Sequence, residues 1–414
     1  MAIQAGGIAF CRVLGQKILS IADASVSAEI QYDHEEYFCR SHQQKRLSCM
    51  FGSGLLTEDA DSWLQLHDSV NNSFARKNII RYHAQILQCV DVNVARLESP
   101  GQGLELCLGR DTIGWSVATI SSVLLGERFS DEMIAQFLAA FLKGAGGSLD
   151  PRTPGGGMHS QFTRLLRGVQ LVSSELERLI DAPVQAALKQ DPLQSPNLLL
   201  DINDELRRES RCPFSRFQHR NLVKTLFMVG IQTSAYTLDW LLLLLARHPD
   251  VWQQLAEAVR PQLRESAPTA EVMDQLVCVQ HVIHEAMRLR PVIPTIQKGV
   301  AKSCEIAGVA VQPGDTLNLS VFGIHHSADY WDDPGSFNPD RFRCYVPPQL
   351  FTPFGLGQHT CLGQHLAMHV LATTLVRLVQ RFDIVGDPAV NLDSESTFLL
   401  KPLHDQRIVL RSLC

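Results

Sequence analysis

The 414-residue chain lacks several features, and each absence removes a class of explanation. No apolar run approaches the ~20 residues that a membrane-spanning helix needs. The longest uninterrupted one, Trp240 to Ala246, stops far short, so no transmembrane anchor is expected. Cysteines number eleven, an odd count scattered without a single Cys-x-x-Cys pair, which reads as reduced thiols in a reducing compartment rather than a disulfide framework. Basic charge is not in excess: Lys+Arg 37 against Asp+Glu 43 leaves −6, and a broad nucleic-acid surface is excluded. The N-terminal segment carries Arg12 and Lys17 but no continuous apolar core followed by a small-residue cleavage site, so a mature cytoplasmic start is expected. No repeat of roughly 20–50 residues is present, which removes solenoids and propellers.

What is present is an ordinary globular composition, 45% hydrophobic and 19% charged, long enough for a sizeable core. Apolar residues at three- and four-residue intervals predict helices over Trp63–Val94, Asp111–Leu125, Asp131–Lys143, Met158–Lys189 and about Pro213 to Arg247. Strand-like text is short: Val300–Ala310, Thr316–Ser320 and Ile408–Arg411, punctuated by Gly308 and Pro313-Gly314. Gly144–Gly157 reads as a surface loop between helices without the composition shift of an interdomain linker. The expectation is one large, mainly α domain over residues 1–414 with a small β part.

Chemistry concentrates between Phe354 and Gly363, which read Phe354-Gly355-Leu356-Gly357-Gln358-His359-Thr360-Cys361-Leu362-Gly363, ahead of a helical pattern over Leu362–Arg381. Cys361 thus precedes a helix N-terminus, where unpaired N–H groups and the dipole favour a thiolate, and the glycines let backbone approach a flat ligand. A buried thiol on a turn is the commonest fate of a lone cysteine. Against it, Phe-x-x-Gly-x-His-x-Cys-x-Gly arises by chance in roughly one chain in ten thousand of this length. Cys361, His365 and His369 also recur every four residues, a spacing that zinc could use. Zinc explains neither Phe354 nor the glycines, and no glutamate stands between the histidines as in a metalloprotease.

The cysteine loop resembles the haem-binding loop of the cytochrome P-450 family, and the resemblance runs from Trp63 to the C-terminus. It implies the triangular, mainly α haem-thiolate fold, haem b as cofactor and Cys361 as proximal iron ligand. Glu285-Ala-Met-Arg288 resembles the family's Glu-x-x-Arg pair, and Phe337-Asn-Pro339-Asp-Arg341-Phe342 the downstream segment whose arginine locks onto it. Alone, a Glu–Arg pair three residues apart is usually a surface ion pair of little value, whereas the ordered company of Arg341 and Cys361 implies a buried structural triad. Phe354, Gly355 and Gly363 belong to the haem loop by the same resemblance. Trp63, His67, Lys298 and His359 fall at positions that hold haem propionates in the family. There His67 and Lys298 replace arginines, a pH-dependent group and a point charge standing where a fork is usual.

On the oxygen side, Val229-Gly230-Ile231-Gln232-Thr233-Ser234 resembles the family's Gly-x-acid-Thr segment, which makes Gly230, Gln232, Thr233 and Ser234 catalytic candidates. Gln232 departs from that pattern, because an amide orients water but does not shuttle a proton as a carboxylate does. Substrate-pocket positions carried over are Phe227, Val229, Val292, Ile293, Thr295, Ile296, Thr397 and Phe398, mostly apolar and equally readable as core. The implied reaction inserts one oxygen atom from O2 into an apolar small molecule, a specialised metabolite, by hydroxylation or epoxidation. Ferredoxin and ferredoxin reductase, or flavodoxin, would supply the electrons, with Arg76, Lys77, Arg81 and Arg343 as steering cations. Two rivals stand beside this: a haem-thiolate isomerase, dehydratase, coupling or peroxide-using enzyme, motivated by Gln232, and a non-enzymatic haem sensor.

Overall fold

The computed structural model describes residues 7–13, 16–32, 35–41, 44–45, 48, 52, 54–98, 104–145, 158–191, 195–208, 215–264, 266–396, 398–403 and 406–413. It divides into two compact units: residues 46–96 with 109–235, and residues 1–45 with 97–108 and 236–414.

The first of these units is helical. Helices occupy Ala60–Asn71, His83–Ala95, Asp111–Leu125, Asp131–Ala145, Met158–Ala187 and Leu198–Arg208, and the N-terminal part of Arg216–Arg247 belongs here too. The single helix expected over Trp63–Val94 is instead broken at Asn72 and again at Tyr82, with a short Arg76–Ile79 turn between. The local cause is side-chain competition for the backbone: Asn78 Nδ2 donates to Asn72 O at 2.7 Å, capturing a carbonyl that a continuing helix would use. Asp111–Leu125 starts and stops where periodicity places it, ended by Gly126 at φ 78, whose N–H reaches Ser122 O. Asp131–Ala145 overruns its expected end by two residues, and the remainder of the Gly144–Gly157 loop lies outside the described residues.

The second unit holds all twelve strands seen among the described residues, numbered in chain order. Strands β1 (Ile8–Val13), β2 (Gln16–Ile21), β3 (Phe38–Cys39), β5 (Ile296–Val300) and β8 (Thr316–Leu319) form one sheet in the order β1-β2-β8-β5-β3. Within it β2 and β8 run parallel, and the other pairs run antiparallel. The segment expected as strand over Val300–Ala310 resolves into the end of β5 and the hairpin β6 (Cys304–Ile306) and β7 (Val309–Val311), turned at Ala307 and Gly308 with φ 46 and 79. Strands β4 (Leu104–Cys107), β9 (Phe382–Ile384) and β12 (Arg407–Ser412) make a three-stranded sheet, and β10 (Ser394–Ser396) pairs with β11 (Leu400–Pro402). Leu19, Ile21, Leu317 and Leu319 point from β2 and β8 onto Ile30 of the Ala24–Tyr32 helix. Each such buried side chain contributes about 1.5–3 kcal/mol.

The C-terminal part of Arg216–Arg247 lies in this second unit, where the run Trp240–Ala246 is buried and Trp240 Nε1 donates to Leu400 O at 3.0 Å. Over Gln218–Arg247 this helix is long and apolar enough to cross a membrane, although its uninterrupted apolar run is short. Of its most apolar window 72% is buried inside the fold, as in a core helix.

Candidate functional site

The cysteine loop is shaped by its own backbone. Gly355 N–H donates to Thr352 O at 3.1 Å and Cys361 N–H to Phe354 O at 2.9 Å, so the chain folds back and brings the cysteine beside the phenylalanine. Gly355 and Gly357 take φ 75 and 69, the left-handed region that glycine enters without strain. Gly357 is required for a second reason, because a Cβ there would overlap the Gln31 carbonyl. The following helix, Gln364–Arg381, begins two residues later than periodicity suggests, with Gly363 as its cap.

Cys361 is an exposed residue, yet protein crowds around its thiol. That crowding pushes the thiol pKa up, and the Gly363 N–H bond to sulfur pulls it down by less. The helix-terminus argument alone gives the opposite net direction; desolvation wins, and a bound cation is what would stabilise a thiolate here. Among the described residues no group of three or more His, Cys, Asp or Glu could hold a metal ion, so Cys361, His365 and His369 do not assemble the zinc site their spacing allowed.

Behind the loop lies a buried ionic cluster. Glu285 and Arg288, on the Val277–Leu289 helix, are both 0% exposed and pair through two bonds, Nε to Oε2 at 2.7 Å and Nη2 to Oε1 at 2.8 Å. The rest of the guanidinium donates to the carbonyls of His325, Pro334 and Ser336 at 2.8, 2.9 and 3.1 Å. Asn338 N–H supplies Glu285 with a further donor at 2.9 Å. Arg341 is the looser member: its Nε sits 3.4 Å from Glu285 Oε1, within ion-pair reach but not aligned as a hydrogen bond. Its Nη2 instead holds Asp333 O and Ser336 Oγ at 2.7 and 2.9 Å.

His325 ties this cluster to the loop. Thr352 N–H donates to its Nε2 at 3.0 Å, which makes Nε2 the acceptor and leaves Nδ1–H to donate to Arg288 O at 3.2 Å. Burial pushes the imidazole pKa down to about 3, against the raising effect of the Arg288 carbonyl, so the ring is neutral. His284 is similarly lowered to about 4 by burial and by neighbouring His281, and its ring packs 5.3 Å from Phe342 and 5.2 Å from Phe351.

Arg40 Nη2 lies 3.5 Å from His359 Nδ1 of the same loop, and the β3–β5 register, Phe38 opposite Val300 and Cys39 opposite Gly299, brings the backbone of Arg40 toward that of Lys298. Arg40, Gln31 and His325 were not found in the sequence. No local signal marks any of them, since each reaches the site through strand pairing or helix packing. As a cradle for haem, this unit offers an exposed cysteine, glycine backbone and cations suited to carboxylates. The donor set fits the cofactor.

In the helical unit, buried Trp63 stacks on His67 at 4.6 Å, and its Nε1 donates to Leu55 O at 3.1 Å, while His67 Nδ1 is 3.4 Å from Asp68. Gly230, Gln232, Thr233 and Ser234 are half-buried on the long helix. Thr233 Oγ1 donates to Val229 O at 2.7 Å, and a Cβ on Gly230 would press on Ile120 Cδ1 at 2.9 Å, so this glycine lets two helices approach. Phe227 is buried against Phe129 at 5.4 Å. In the other unit Val292 is buried, Ile293, Thr295 and Ile296 are half-buried, Phe398 is 52% exposed, and Thr397 lies outside the described residues. Ile296 borders the cysteine loop, its Cδ1 3.5 Å from where a Gly355 Cβ would stand. Of the steering cations, Arg81 is paired with Asp201 at 3.3 Å and Arg343 with Asp340 at 2.8 Å.

A family profile described as Cytochrome P450 matches residues 3–408. Human cytochrome P450 4X1 is 29% identical over 61% of this chain and 51% of its own length, and human cytochrome P450 3A5 is 29% identical over 52% and 43%. The chain therefore aligns with about half the length of these relatives. Cytochrome P450 132 of Mycobacterium tuberculosis is 23% identical over 97% of this chain and 89% of its own length. With the profile covering nearly every residue around a glycine-framed cysteine and a buried Glu–Arg pair, the chain belongs to the cytochrome P450 family, whose cofactor is iron protoporphyrin IX held by a cysteine thiolate.

Proposed function

We propose that this protein is a monooxygenase that inserts one oxygen atom from O2 into an apolar small molecule, by hydroxylation or epoxidation of a specialised metabolite. The observation that carries the reading is Cys361, an exposed cysteine whose sulfur takes the Gly363 N–H in a loop framed by two left-handed glycines. Haem held by that sulfur would supply the oxygen chemistry. Arg40, Lys298 and His359 would receive its carboxylates, a reading supported by the 3.5 Å approach of Arg40 to His359. His67, on the Ala60–Asn71 helix, would add a further propionate contact, with Trp63, whose indole N–H is already taken by Leu55 O, supporting it by stacking rather than by a bond of its own.

Thr233 would hold water for proton delivery: its hydroxyl hydrogen is engaged by Val229 O, and a hydroxyl oxygen accepts as well as donates. Gln232 orients that water without ionising, so protons arrive through solvent or a substrate hydroxyl. Phe227, Val229, Val292, Ile293, Thr295 and Ile296 would give the substrate apolar surroundings, and ferredoxin with its reductase, or flavodoxin, the electrons. A cytoplasmic location fits the free thiols of Cys11, Cys89, Cys278, Cys304, Cys344 and Cys361 among the described residues and the burial of the Gln218–Arg247 helix. Gln232 also favours a second reading, a haem-thiolate enzyme driven by peroxide or needing no oxygen. Turnover under 18O2 with NAD(P)H, a ferredoxin pair and a substrate library separates them by mass spectrometry. Products gaining one 18O are expected. Products that draw oxygen only from added peroxide, or gain none, would replace the first reading with the second.

A further inference from the structure

Gln31 lies in the last turn of the Ala24–Tyr32 helix, 3% exposed, with both ends of its carboxamide engaged. Nε2 donates to Ser27 O at 3.2 Å and to Ser27 Oγ at 3.3 Å. Those bonds turn the amide so that its oxygen faces the cysteine loop, where Oε1 accepts the Leu356 N–H at 3.0 Å. The loop packs on the same residue on either side of that bond: Gly357 against the Gln31 backbone carbonyl, and Gly355 with its Cβ direction 3.7 Å from Oε1. Leu356 is two residues from Phe354, whose carbonyl takes the Cys361 N–H at 2.9 Å, and next to Gly355, whose N–H is tied to Thr352. Any displacement of Leu356 therefore moves the backbone that seats the sulfur. Buried donors held this way have no water to fall back on, so the bond is costly to leave unmade.

We propose that Gln31 is a positioning residue for the thiolate: by holding Leu356 it fixes the loop that presents Cys361 sulfur to iron. The N-terminal helix thereby becomes part of the cofactor site, although nothing in its sequence marks it. The proposal rests on Cys361 as the iron ligand. If that reading fails, the red-shifted Soret band of the reduced, carbon monoxide-bound protein is missing from the wild type itself. If only the role of Gln31 fails, the band is present and the variants behave alike.

The test follows the decay of that band, together with the iron reduction potential, in purified holoprotein. Gln31→Leu keeps the size and loses the acceptor, and its band should convert to the unshifted form roughly fivefold faster, the ratio of one ordinary hydrogen bond, with a displaced potential. Ser27→Ala removes only one of the two Nε2 bonds, leaves the Leu356 bond in place and should stay within about twofold of wild type. Ile30→Val, a core truncation in the same helix, should lower Tm while leaving band decay unchanged at equal distance from its own Tm. Equal decay in wild type and Gln31→Leu, or equal acceleration in Ile30→Val, overturns the proposal. Should Gln31→Leu yield no holoprotein, amide exchange in the wild type decides: Leu356 N–H should exchange as slowly as amides of the Gln364–Arg381 helix, and exchange at the rate of an open loop overturns the proposal.

Discussion

Replacing Arg288 by lysine tests the ionic cluster more sharply than deleting it. The arginine uses its guanidinium as a fork to Glu285 and as donor to three carbonyls, five bonds between 2.7 and 3.1 Å in all. An ammonium offers three donors from one point, so at least two of those bonds must go while the buried charge pair survives. At about 1.5–3 kcal/mol per hydrogen bond to a charged group, the loss is roughly 3–6 kcal/mol, a large part of the ~5–15 kcal/mol typical of a folded protein. Arg288→Ala goes further, leaving Glu285 buried without its fork at about 3–5 kcal/mol before the carbonyls are counted, and should give no soluble holoprotein. Arg341→Ala should cost only ~1–2 kcal/mol, because the two bonds it removes are exposed or half-buried, so that water replaces part of each, and its ion pair to Glu285 is misaligned. Urea unfolding followed by circular dichroism, with haem content measured in parallel, reads the order. An Arg288→Lys protein as stable as wild type, or Arg341→Ala more damaging than Arg288→Ala, would refute the reasoning.

Acid should weaken the fold through histidines kept neutral by burial, which bind protons more readily once unfolded. Stability is full above the ordinary histidine value near 6.5 and falls as pH drops toward about 4, the value of His284, by up to ~1.4 kcal/mol per pH unit for each such histidine. His284→Phe, matched to its Phe342 and Phe351 neighbours, should make the pH–stability curve measurably shallower over that window, and an unchanged slope counts against the assignment. Gly357→Ala forces a left-handed alanine onto the Gln31 carbonyl and should lose most haem during purification, whereas a normal haem-to-protein ratio contradicts the described loop. Thr233→Ala should divert electrons to hydrogen peroxide while NAD(P)H consumption continues, and product yield per NAD(P)H equal to wild type would make the hydroxyl purely structural.

The parts of this molecule legible in its sequence are those whose information is local. Ten residues from Phe354 to Gly363 carry the cysteine loop, and Glu285 and Arg288 stand one helical turn apart. The helix Asp111–Leu125 shows in its own periodicity and ends at the glycine that can take φ 78. Illegible were contacts made across the chain: Gln31 meets Leu356 from 325 positions away, and Arg40 meets His359 from 319. The β1–β2 pair went unread because its sheet is completed by parallel pairing of β2 with β8 and its apolar residues Leu19 and Ile21 are buried in a cluster shared with Ile30 of the Ala24–Tyr32 helix, all contacts that local sequence does not show. The unbroken helix over Trp63–Val94 failed for a different reason, since apolar spacing says nothing of an asparagine amide capturing a backbone carbonyl. Gly230 shows the same limit, its missing side chain being accounted for by Ile120 on another helix.

The central claim is that Cys361 sulfur holds the haem iron. It is tested most directly by the absorption spectrum of the reduced, carbon monoxide-bound protein in wild type and in Cys361→His. The wild type should show the red-shifted Soret band of thiolate ligation, and Cys361→His, if haem is retained, should show only the unshifted band of an imidazole-ligated or unligated iron. A red-shifted band that persists in Cys361→His with haem still bound would contradict the account and assign the iron to one of the ten other cysteines.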